Sequence, residues 1–371
     1  MLLACASPVA HREKLGEFAN GVDWNATLDL AEQHGVLGLL SARLGAGTMP
    51  PEALQRIRDQ QRRRTFSALA LTGELFQLCE RLGGAGLAAL PVKGPVLSQR
   101  AYGDPAVRQY GDLDLLIRQA DVLRLTELLI DAGYEAWVPR EAIAAGKIPG
   151  EYVFQRRSPQ VRVEFHTERT SRYFPRPLSI EQIIEGQTSV LLDGRQLPAL
   201  SAEDDLLMLS VHGSKDLWAR LIWLADVAAL IQRETAIDWE FVRAEAQRLG
   251  ASRMLGTALQ LTTNLLESPL PEQAKRLVDI SRDDGMARQI AAWMPFGPEV
   301  HLGLLKRSLF RMRMGGGGIR GAAYLLRLAL SPTEDDWNVS KGGAFDSPRR
   351  LVRLAGKYGN KPRQNGERPE S

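Results

Sequence analysis

A chain of 371 residues, 44% hydrophobic and 25% charged, carries enough apolar material for a buried core and has the length of two or three ordinary domains. Its formal net charge is only +3, and the positive excess sits from Lys341 onward, so the balance demands neither a nucleic-acid partner nor a membrane surface. Cys5 and Cys79 stand far apart without metal-ligand spacing, no apolar run reaches the roughly 20 residues of a membrane span, and "MLLACASPVA" has no basic segment before it, which together predict a cytoplasmic chain without disulfides, zinc or leader.

From Trp24 to about Leu82 apolar residues recur at three- and four-residue spacing, in "LDLAEQHGVLGLLSARL" and again in "ALQRIRDQQRRRTFSALALTGELFQLCERL", which predicts helices. The intervening "GAGTMPPE" is a turn followed by proline and acid, a helix N-terminal signal. The run Arg62-Arg63-Arg64 falls inside the long helix and reads as a solvated face. After "GGAG" the texture changes. "LAALPVKG" reads as a short strand ending in a turn, "PVLSQRAYG" as a helix opening on proline, "LDLLI" as a second strand and "QADVLRLTELLIDAGY" as a helix. "YVFQRR" and "VRVEFH", joined by "SPQ", read as a hairpin. From Ser201 the pattern is helical again, with Ser201 as a cap and Asp204 placed to close a capping box, and Gly315 to Gly318 reads as a loop between helices. The expected organisation is α+β: an N-terminal helical region (1–85), an α/β module with a small mixed sheet (86–200), a C-terminal helical domain (201–357) and a polar, disordered tail (358–371).

"RQYGDLDLLI" places two carboxylates one residue apart at the mouth of an apolar strand. Residues two apart on a strand share a face, so Asp112 and Asp114 point one way while Leu113, Leu115 and Ile117 point the other. In "VRVEFH" the same alternation sets Arg162, Glu164 and His166 against Val161, Val163 and Phe165. If the two strands are neighbours, three carboxylates crowd together, and a divalent cation among them relieves the repulsion. Oxygen ligands on a sheet rim suit Mg²⁺ or Mn²⁺ holding a nucleoside triphosphate. His166 is equally well read as a sheet histidine satisfied by a neighbour. Downstream, His212, Lys215, Trp218, Trp223 and Asp226 recur at near-helical spacing, with Lys215 and Asp226 as candidates for nucleotide or acceptor contact and the tryptophans as core.

The string "KGPVLSQRAYGDPAVRQYGDLDLLI" resembles the signature of an uncharacterised bacterial nucleotidyltransferase family within the DNA polymerase β-like superfamily: Lys-Gly, then Tyr, then Arg, then Asp-x-Asp before apolar residues. "WNATLDLAEQHGVLGLL", "VEFH" and "VHGSKDLWARLIWLADVAALI" extend the resemblance from about Trp24 to Leu330. It implies that Asp112 and Asp114 bind the metal, that Glu164 is the third acidic ligand and helps the nucleophile lose its proton, and that Gly94 belongs to the turn that meets triphosphate oxygens at a helix N-terminus. Where such turns have Gly-Ser or Gly-Gly, this chain has Gly94-Pro95, and proline offers neither hydroxyl nor N–H. Lys93 and Arg108 are the candidates to supply the missing positive charge.

The expected activity is Mg²⁺-dependent transfer of a nucleoside monophosphate to a hydroxyl or amine of a small-molecule, peptide or protein acceptor. Two other readings stay open: a nucleotide-binding scaffold or sensor without turnover, for which Gly94-Pro95 speaks, and a metal-dependent glycosyltransferase. The apolar run following the Asp-x-Asp pair rather than preceding it counts against the latter.

Overall fold

The computed structural model describes residues 1–330 apart from 10–11, 20, 45, 147–149, 159, 169–172, 282 and 300–301. The expected tail, and the stretch 331–357 of the C-terminal helical region, lie outside the described residues.

Four short helices, Leu2–Ala6, Arg12–Ala19, Trp24–Gln33 and Leu37–Arg43, precede one of 34 residues, Pro51–Gly84. Asp23 caps the third by accepting from Ala26 N–H at 3.0 Å, and Pro51 with Glu52 opens the long helix, where a missing N–H and a negative charge both suit a first turn.

The sheet has five strands: β1 (Ala89–Pro91), β2 (Leu113–Ile117), β3 (Glu135–Ala136), β4 (Glu151–Arg157) and β5 (Gln160–His166), in the order β1-β2-β5-β4-β3. β2 and β5 run parallel and the other pairs antiparallel, so the sheet is mixed, as its sequence pattern predicts. Helix Gly94–Tyr102 links β1 to β2 and stops at Gly103, whose φ of 75° forms a left-handed cap. A two-stranded sheet, β6 (Thr188–Leu192) with β7 (Arg195–Ala199), turns at Asp193-Gly194, both with positive φ. The two-residue Asp-Gly loop is a strong hairpin signal, yet it is absent from the elements expected above.

Helices then fill the chain from Ala202–Lys215 and Leu221–Arg233 to Leu304–Met314 and Gly318–Leu330. At the first of these, Ser201 Oγ accepts from Asp204 N–H at 3.0 Å and donates to Asp204 Oδ2 at 2.8 Å, so the capping box is half made. No described helix is long and apolar enough to cross a membrane. Cys5 and Cys79 are free thiols.

Two cores explain why β2 is apolar on both faces. Leu113, Leu115 and Ile117 pack with Val161, Val163 and Phe165 and with Leu71, Leu75 and Leu78 of the long helix. Leu116, on the opposite face, joins a larger core that includes Leu28 and Leu40 of the early helices and Trp218 and Leu224 of the late ones. Asp114 lies one pleat from Leu116 on that second face, where the late helices come over the sheet.

Candidate active site

Pairing between β2 and β5 sets Asp114 directly beside Glu164 and Leu116 beside His166. With the pleat shared, all four side chains face a cleft of about 460 Å³ whose floor is the β1–helix turn at Lys93-Gly94 and whose far wall comes from the late helices. Asp112, just before β2, lines the same cleft.

The cluster is tight on one side. Ligand-capable atoms of Asp114, Glu164 and His166 all lie within 4.8 Å of one another. His166 Nε2 is 2.8 Å from Asp114 Oδ1, Lys93 Nζ is 3.6 Å from Asp114 Oδ2, and Arg162 Nη2 is 2.6 Å from Glu164 Oε1. Asp112 is not part of this close group. His166, which the sequence left open between a phosphate or metal-bound-water contact and a sheet histidine satisfied by a neighbour, stands inside the acidic cluster with Asp114 as its neighbour. Arg162, the partner of Glu164, was visible in the strand alternation but given no role.

Charge is distributed unevenly. Burial opposes ionisation of Asp114, but Lys93 and the hydrogen-bonded His166 outweigh it and hold that carboxyl well below the usual range. Asp112 and Glu164 shift the other way, pushed up by burial and then by the charge of Asp114. For His166 burial works against the proton, and the bond to Asp114 prevails, so its pKa rises. The site has one firmly ionised carboxylate and two neighbours that resist ionisation beside it.

Gly94 has φ +61°, a left-handed conformation that turns β1 directly into the helix. The first turn of a helix leaves N–H groups without intrahelical partners, and here Pro95 removes one of them. Val92 N–H donates to Asp114 O at 3.0 Å, which ties the turn to β2.

Arg108 lines the cleft, but its Nε donates to Asp226 Oδ2 at 2.8 Å, and Tyr102 Oη donates to Asp226 Oδ1 at 2.8 Å. Asp226 is 0% exposed and does not line the cleft, so the expectation that it touches nucleotide or acceptor gives way to a structural one: it neutralises Arg108 from behind. The reason is positional, since Leu221–Arg233 packs against Gly94–Tyr102 and turns Asp226 into that interface. Lys215 does line the cleft, with Nζ 4.5 Å from the centre of the Tyr173 ring.

The tryptophans, both expected as core, part company. Trp218 is fully buried, its indole against Gly213, where an added Cβ would come within 2.5 Å. Trp223 lines the cleft, edge-on to His212 with ring centres 5.1 Å apart. Burial, then Lys93 and Lys215, lower the pKa of His212 well below its ordinary value. Tyr173 and Phe174 complete this aromatic wall, and no motif marked them in the sequence.

No curated protein matches this sequence. Among solved structures, an antigenic nucleotidyltransferase-like protein from Paracoccidioides brasiliensis aligns at 15% identity and a TM-score of 0.36, over 57% of this chain and 94% of that one. Residues 20–267, well over half the chain, match the model of a family described as uncharacterised nucleotidyltransferase, and the chain belongs to that family.

Proposed function

We propose that this protein moves a nucleoside monophosphoryl group from a nucleoside triphosphate to a hydroxyl or amine of an acceptor, in a module of the polymerase β-like type. The observation that carries the reading is the β2–β5 register, which puts Asp114 and Glu164 side by side over the Lys93-Gly94 turn, with Asp112 at the same rim.

The donor set fits a hard divalent cation, Mg²⁺ or Mn²⁺: carboxylates of Asp112, Asp114 and Glu164 converge on one cleft, and burial, then the charge of Asp114, push Asp112 and Glu164 toward protonation. When bound, such a cation neutralises triphosphate charge and eases ionisation of the attacking group. Lys93 and the first turn of Gly94–Tyr102 receive phosphate oxygens. Glu164, made more basic by its surroundings, accepts the proton of the acceptor hydroxyl as oxygen bonds to the α-phosphorus and pyrophosphate leaves. Arg162 holds Glu164, and His166 holds Asp114. Arg108, seated by Asp226, offers its remaining N–H groups to the triphosphate, while Tyr173, His212, Lys215 and Trp223 contact the base or the acceptor.

Pro95 favours a second reading, nucleotide binding without turnover, because it removes a phosphate donor from the turn. One experiment separates the two. Pure protein is incubated with Mg²⁺ and each α-labelled triphosphate, with cell extract as acceptor source. Transfer of label with pyrophosphate release is expected. Metal-dependent binding without transfer would establish the sensor, and absence of binding would sink both.

A further inference from the structure

The segment Arg108–Tyr110 has two sides. One lines the cleft described above. The other lines a separate cavity of about 250 Å³, built chiefly by Gln60, Arg63, Arg64 and Ser67 of the long helix, with Glu32 at its rim and Gln109 opposite.

Arg64 makes this cavity unusual. Its Nη1 and Nη2 are buried without a hydrogen-bond partner among the described residues, and it alone there has both terminal nitrogens in that state. Nε reaches only Gln60 O, at 3.4 Å. Gly38 makes room for the guanidinium, since a Cβ there would lie 3.1 Å from Nη1 and 2.0 Å from Val107 O. Glu32 acts on this cation through charge alone, and burying four of its N–H donors without a hydrogen-bond partner is destabilising, by more than for a neutral group. The arrangement is explained if an anion completes it. The wall opposite is stiff: Asp104 Oδ1 accepts from Ala106 N–H at 2.8 Å, Tyr110 Oη donates to Pro105 O at 2.8 Å, and Arg108 is anchored by Asp226.

The charges facing the space are Arg63, Arg64 and Arg108 against Glu32. Arg108 is already matched by Asp226, and Glu32 accepts from Gln60 Nε2 at 2.8 Å and lies 4.0 Å from Arg56. One net positive charge remains, with two guanidinium forks, two amides and the Ser67 hydroxyl around it. That donor supply exceeds what a carboxylate accepts and matches the three oxygens of a phosphate group.

We propose that this cavity is a phosphate-binding site, distinct from the triphosphate cleft and sharing the Arg108–Tyr110 wall with it. The phosphate group is either free or carried on a larger molecule whose remainder extends out of the cavity.

The test titrates inorganic phosphate into the full chain by calorimetry, at fixed ionic strength and without nucleotide or divalent metal. Saturable binding is expected, at least tenfold weaker in Arg64→Met, weaker in Arg64→Lys because the planar fork is lost, and several-fold tighter in Glu32→Gln. Tightening cannot come from damage to the fold, so Glu32→Gln decides the question even if Arg64→Met fails to fold. Lys93→Ala and the exposed Arg62→Ala should bind as the wild type does. Absence of saturable binding, equal affinity in Arg64→Lys and Glu32→Gln, or loss of binding in Lys93→Ala would overturn the proposal, the last by placing phosphate in the triphosphate cleft. A sugar phosphate binding more tightly than inorganic phosphate identifies a carried group, and equal affinity identifies the free ion. None of these readings depends on nucleotidyl transfer.

Discussion

Asp226 and Asp112 both feel the charge of Arg108 and meet opposite conditions. Asp226 is wholly buried, with both oxygens engaged by Arg108 and Tyr102. Asp112 is half-buried at the cleft, and the charge of Asp114 adds to the burial that pushes its pKa up. A paired buried carboxylate holds the fold, and removing it strands its partner. A carboxylate crowded by another is held in place by the rest of the fold, and its charge has value only when something positive arrives. The two regions teach that the cost of deleting a carboxylate is decided by what it leaves behind.

Asp226→Ala should therefore show the largest effect on stability, about 3–5 kcal/mol in chemical denaturation, because Arg108 is then left buried and unpaired. Because Asp226 also seats Arg108 at the cleft, transfer by the protein that stays folded should weaken through a raised KM for nucleotide rather than a lost kcat. If the variant unfolds no more readily than the wild type, Asp226 is not the anchor described here.

Asp112→Asn should do the reverse. Its melting temperature is expected to equal or exceed that of the wild type, while metal-dependent transfer falls at least a hundredfold, about 2.7 kcal/mol in the barrier. A drop in stability with activity merely following would move Asp112 into the same class as Asp226.

A smaller effect is expected from His212, which the cleft keeps neutral. Its folded pKa is depressed below the ordinary 6.5, so below that pH the unfolded chain binds more protons than the native one. Stability then falls as pH drops below about 6.5 and is level above it. His34, also lowered by burial, contributes in the same sense, so His212→Gln should reduce the slope of the denaturation midpoint between pH 5 and 6.5 without abolishing it. An unchanged slope would mean that His212 is not held neutral.

The smallest effect is expected for Lys215→Met, about 0.5–1 kcal/mol from loss of the contact with the Tyr173 ring. Its larger consequence should be a raised KM for nucleotide or acceptor. A KM equal to that of the wild type would remove Lys215 from the ligand contacts.

The face-by-face placement of Asp114, Glu164 and His166 was legible because strand alternation is local: "DLDLLI" and "VRVEFH" each carry their own period of two. The adjacency of the two strands needed the fold, since a parallel pair separated by a helix and a hairpin leaves no local mark. Asp226 misled for a related reason. A helical spacing that brings His212 and Lys215 to the cleft says nothing about which residue of the following helix meets Arg108, a contact spanning 118 residues. The β6–β7 hairpin was readable in "LLDGRQL" and was passed over because its strands are short and half exposed. Arg64 was absorbed into a solvated run because all three arginines fall inside one long helix; Arg62 and Arg63 are exposed there, and Gly38 and the approach of Val107 make the third arginine different.

The central claim is that the cleft carboxylates await a cation that arrives with a triphosphate. Melting curves of the wild type and Asp112→Asn, each with Mg²⁺, with a non-transferable triphosphate and with both together, test it most directly. The account predicts that the wild type gains most with both ligands, about 2.7 kcal/mol at a hundredfold excess over Kd, whereas Asp112→Asn starts no less stable and gains little. A wild type indifferent to metal, or a variant that gains as much, would contradict it.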